Sequence, residues 1–80
     1  MNYEKHFKSN HIDIVKRELD CIYDLFHLAD AYLDECKLKQ ARDRTEDALN
    51  SIKRLIDLNE EKVERDKLIA NLRMRGVNVR

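Results

Sequence analysis

The chain has 80 residues, one glycine, no proline, 40% charged residues and a formal net charge of zero. That length excludes more than one domain with its own core. So few helix breakers, with a charged fraction well above the roughly 25% of ordinary domains, point to an all-α protein of long helices with solvated faces. No signal-peptide pattern occurs and no apolar run approaches the ~18 residues of a membrane span, so a cytoplasmic protein is expected.

Charge is unevenly distributed. Residues 21–36 carry Asp24, Asp30, Asp34 and Glu35 and no lysine or arginine, whereas residues 37–54 carry six bases against three acids. Neighbouring segments of opposite sign are free to fold against each other. Disorder is the competing expectation for so polar a chain, and the periodic spacing of its apolar residues argues against it.

Residues 1–10 read as a flexible N-terminal tail, basic and aromatic through Tyr3, Lys5, Phe7 and Lys8. A single helical domain is expected over 11–76. Its first helix, about residues 11–35, begins after Asn10, a good N-cap type, with Asp13 near the positive helix end. It carries Ile12, Val15, Leu19, Ile22, Phe26, Ala29, Leu33 and Cys36 at alternating spacings of three and four, a heptad stripe of coiled-coil type. Leu25, Tyr32 and Tyr23 flank that stripe where a two-stranded coiled coil would place charges, so the apolar face is broad enough for a bundle. Phe26 is expected in the core. Cys21 and Cys36 are expected as buried free thiols, with one disulfide as the alternative.

Past Cys36 the stripe would continue on Gln40, Asp43, Asp47, Asn50 and Arg54, all polar. A second stripe replaces it: Leu38, Ala41, Thr45, Ala48, Ile52 and Leu55, offset by two residues and hence rotated by roughly 200°. A chain reversal between about Asp34 and Lys39 packs both stripes together as a helical hairpin, although neither glycine nor proline marks a turn there. Leu25, Leu28, Ala29, Tyr32, Leu38, Ala41 and Ala48 have the spacing of the tetratricopeptide helix-turn-helix, and residues 25–55 resemble one such repeat. Thr45 stands where that family prefers a large aromatic and Cys36 where it prefers a small turn residue. The resemblance implies a hairpin with small residues at the closest helix approach.

In Asp57–Lys67 eight of eleven residues are charged, leaving Leu58, Asn59 and Val63. Either Asn59 caps a third helix, or the second continues as a solvated arm braced by pairs such as Lys62 with Asp66. The absence of a breaker favours continuation to about Arg75, with Gly76 as the stop and 77–80 as a basic C-terminal tail.

The chemistry-bearing residues are sparse. Asp24 and His27 sit three apart, as in the carboxylate and histidine pairs of di-iron bundles, but no second pair accompanies them, so neither metal nor cofactor is expected. No phosphate loop, nucleophile elbow or zinc spacing occurs, and the expectation is a non-enzyme. The expected function is a protein-protein interaction module acting as regulator, adaptor or inhibitor, and as a homodimer, through Leu25, Leu28, Tyr32, Leu58 and Val63. The alternative is a small DNA-binding regulator that neutralises phosphates with Lys67, Arg73, Arg75 and Arg80.

Overall fold

A computed structural model describes the chain over residues 2–74; Arg75, Gly76 and the expected basic tail lie outside the described residues. A one-turn helix α1 (Tyr3–His6) and a 3-10 turn (Ser9–His11) precede two long helices, α2 (Ile12–Asp34) and α3 (Leu38–Met74). The two long helices form an antiparallel hairpin measuring 61 × 18 × 15 Å. Continuation through Asn59 is therefore the observed alternative. Asn59 caps nothing; its side-chain amide donates to the His6 carbonyl at 2.9 Å.

The reversal is built without glycine. α2 closes with the Lys37 N–H on the Tyr32 carbonyl at 2.8 Å and the Cys36 N–H on the Leu33 carbonyl at 3.0 Å. This is the Schellman pattern, which requires a left-handed residue between cap and exit. Cys36 takes that conformation with φ 56°, at a cost of about 1 kcal/mol relative to glycine. Lys37 then offers its carbonyl to the Ala41 N–H at 3.0 Å and starts α3. Asn10 is not the cap of α2. It lies inside the 3-10 turn, where the His11 N–H bonds the Lys8 carbonyl and the Ile12 N–H the Ser9 carbonyl. Those backbone acceptors serve amides that a capping side chain would otherwise have met.

The seam is narrow and built from small residues. Val15, Ile22 and Ala29 of α2 are buried against Ala41, Ala48 and Ser51 of α3, with Val15 and Ala48 fully enclosed. Three of the five buried apolar residues are alanines, so the helices approach closely and the pair excludes little apolar surface from water. Relative to the sequence stripe the seam is rotated by roughly 40 to 50°, about half of one residue's step, so Val15, Ile22 and Ala29 stay inside. Leu25 and Tyr32 turn partly inward while Phe26, expected in the core, is 45% exposed and Leu33 is 53% exposed. Both cysteines, expected buried, are free and exposed: Cys21 sits on the flank of the rotated seam and Cys36 in the turn.

The N-terminal residues, expected as a flexible tail, fold back along α3 beyond the start of α2. Phe7 and Ile69 line one groove with Lys62 and Arg65. Lys8 Nζ reaches Glu61 at 3.5 Å, and the Lys16 ammonium lies 5.6 Å from the Tyr3 ring centre. The polar arm after Asp57 thus gains a cover that places Phe7 beside its half-buried Ile69.

Candidate interaction face

The hairpin has two sides, and the buried rows define them. On a helix, a residue one or four places after a buried position lies to one side of the seam and a residue one place before it lies to the other. Antiparallel packing brings like flanks together. Cys21, Asp47 and Arg54, each one place before a seam position, indeed line a common groove with Leu25 and Ser51. This is the back of the hairpin. It also carries the ion pair of Glu18 with Arg54, whose two hydrogen bonds measure 3.0 and 3.1 Å.

The opposite, front side is apolar along most of its length. On α2 it presents Tyr23, Phe26 and Leu33, and on α3 Leu38, Leu49, Ile56 and Val63, all between 41% and 64% exposed. These are seven of the ten large apolar residues found exposed among the described residues, so the exposure is directional rather than scattered. Half-buried Leu19 and Ile52 sit between the two rows and make the surface continuous across the seam. Contiguous exposed apolar surface is what contact with a partner, a membrane or a ligand would cover.

The residues expected from sequence to bind a partner are not brought together. Leu25 and Tyr32 are half-buried in the seam, Leu58 is half-buried on the arm, and Leu28 is exposed on the back. Val63 alone of the five is exposed on the front. The row Leu49, Ile56, Val63, spaced by seven, was the signal that the heptad stripes left unused. Among the alternative phosphate-binding residues, Lys67 and Arg73 are exposed but stand six positions and so about 120° apart on α3, on no common face; Arg75 and Arg80 lie outside the described residues.

Asp24 and His27 are both exposed on α2, and among the described residues no group of three or more His, Cys, Asp or Glu side chains is placed to share a metal ion. Glu18 has its carboxyl held below the usual range chiefly by the hydrogen bond from Arg54; burial opposes this, and the Ser51 hydroxyl and the arginine's charge add lesser lowering effects. Among the described residues no helix is long and apolar enough to cross a membrane. Compared with protein-family models, with curated proteins and with solved structures, the chain matches none.

Proposed function

We propose that this chain is a non-enzymatic protein-protein interaction module, acting as a regulator, adaptor or inhibitor through the front of its hairpin. The observation that carries this reading is the one-sided apolar surface of Tyr23, Phe26, Leu33, Leu38, Leu49, Ile56 and Val63 beside a seam made largely of alanine. A hairpin that buries so little gains most from covering that side with further helices, at roughly 25 cal/mol per Å² of apolar area removed from water. Helices are the fitting cover, because the front is a shallow trough between two parallel ridges spaced at helical intervals.

The test compares the wild-type chain with the Phe26→Asp, Ile56→Asp double variant by size exclusion of a lysate from cells producing each, with and without nuclease. The wild type should elute well above its own 9.6 kDa in a nuclease-resistant complex, and the variant should elute alone with its helix content intact. A complex dissolved by nuclease, or one that the variant retains, would overturn the reading.

A further inference from the structure

The front face is self-complementary. Glu18 meets Arg54 across the hairpin, and α2 ends at Asp34 where α3 begins at Leu38, so each step along α2 is matched by one step back along α3. Continuing that count, Asp30 stands level with Arg42, and Asp20 with Lys53, His27 with Glu46 and Asp34 with Lys39 to within one residue, a rise of about 1.5 Å. All eight side chains project from the front or outer edge of their helix. The α2 edge thus sets Asp20, Asp30 and Asp34 near the heights of the α3 bases Lys53, Arg42 and Lys39; Lys16 is the one base on that α2 edge, and Glu46 on α3 faces a histidine. Within one hairpin these edges lie on opposite sides and cannot meet.

We propose that the front face binds a second copy of this chain about a two-fold axis parallel to the helices, with both turns at the same end and α2 lying over α3 of the other copy. This rests on the interaction-module reading and names the occupant of that face. Such an axis preserves height, so Asp30 meets Arg42 of the second copy, Asp34 its Lys39 and Asp20 its Lys53. Each contact occurs twice. Facing helices in a bundle lie about 8–10 Å apart, within reach of lysine and arginine across the rim. Between the charged rims Tyr23 falls level with Leu49 of the second copy, and Phe26, Leu19 and Ile52 fill the layers between. A two-fold axis across the helices, with turns at opposite ends, would instead lay the α2 edge, with Asp20, Asp30 and Asp34 against the single base Lys16, on its own copy, where like charges outnumber opposite ones. Asp13 and Glu60 do meet as like charges in the same-end arrangement, at the far end of α2 where both are exposed to water and screened.

The arrangement is tested on the full chain carrying Cys21→Ser, with a nitroxide on the exposed Cys36 of the turn. Dipolar spectroscopy at tens of micromolar should give a Cys36 to Cys36 distance below about 25 Å, the width of a bundle with its labels. Turns at opposite ends would give roughly 34 Å or more, the length of α2, and would overturn the proposal. A second measurement uses rim variants that leave the apolar face intact. Asp30→Arg with Asp34→Lys should weaken self-association about tenfold, and mixing with the Arg42→Asp, Lys39→Glu chain should restore pairing between unlike copies. Rim variants that self-associate like the wild type would overturn the pairing. A chain that stays monomeric yet enters a nuclease-resistant complex in lysate overturns self-pairing and leaves the module reading standing.

Discussion

Glu18 and Arg54, 36 positions apart, meet through two parallel hydrogen bonds of 3.0 and 3.1 Å across the back of the hairpin. Arg54 also donates to the Ser51 hydroxyl at 3.0 Å, which ties the pair to a buried seam position. This pair helps set the register between helices whose buried residues, half of them alanine, offer few interlocking side chains to set it by packing.

Acidification should reveal the pair. Because the folded protein holds the Glu18 carboxyl below its ordinary range, its contribution is present above that range and is lost as pH falls through the lowered value. Between pH 7 and 3 the melting midpoint of the wild type should fall further than that of Glu18→Gln. Equal falls would mean that the pair does not act on stability. The effect is expected to be small, since Arg54 is largely solvated.

Seam and face should respond differently to truncation. Ile22→Ala, at a buried site, should cost about 2 to 4 kcal/mol at any protein concentration. Phe26→Ala should cost less than about 1 kcal/mol in dilute protein, as for an exposed site, and more as concentration rises and the face is covered. Urea melts at two concentrations check this. A large cost of Phe26→Ala independent of concentration would place Phe26 in the hairpin's own core.

Close approach of the helices makes Ala48 intolerant of enlargement. Ala48→Leu should destabilise by about 1 to 3 kcal/mol through overpacking, although leucine is as good a helix former on an exposed surface. Ala70→Leu, on the exposed face of the same helix, is the control and should be near neutral. Similar effects at both sites would show that the seam is looser than the burial of Ala48 implies.

The turn should accept glycine. Cys36→Gly relieves the left-handed residue at φ 56° and should stabilise by about 0.5 to 1 kcal/mol after glycine's larger chain entropy is offset. Thermal melting of reduced protein checks the sign. Destabilisation would mean that the thiol makes contacts that outweigh the backbone strain.

The hairpin was legible because apolar spacing carries it: the stripe of Val15, Ile22 and Ala29 and that of Ala41 and Ala48 both proved buried. The reversal was placed by the rotation between stripes and not by a turn residue, since Cys36 does glycine's task here. The rows left exposed were not legible in the sequence for a physical reason. With apolar residues on three adjacent rows of each helix, composition does not say which pair of rows a neighbour covers, and small residues won the seam because they permit the closest approach. Phe26 and Leu33 were thereby moved outward, and Leu25 and Tyr32 inward. Folding of residues 3–11 onto α3 was illegible because it depends on contacts far apart in sequence, such as Asn59 with His6.

Sedimentation velocity of the purified chain, wild type against Phe26→Asp with Ile56→Asp, tests most directly whether the front of the hairpin is a surface made to be covered. The wild type should sediment at tens of micromolar as a species at least twice the 9.6 kDa of one chain, and the variant as a folded, helical monomer. A wild type that remains monomeric at that concentration, with the same sedimentation coefficient as the variant, would contradict the covering of that face by a second copy.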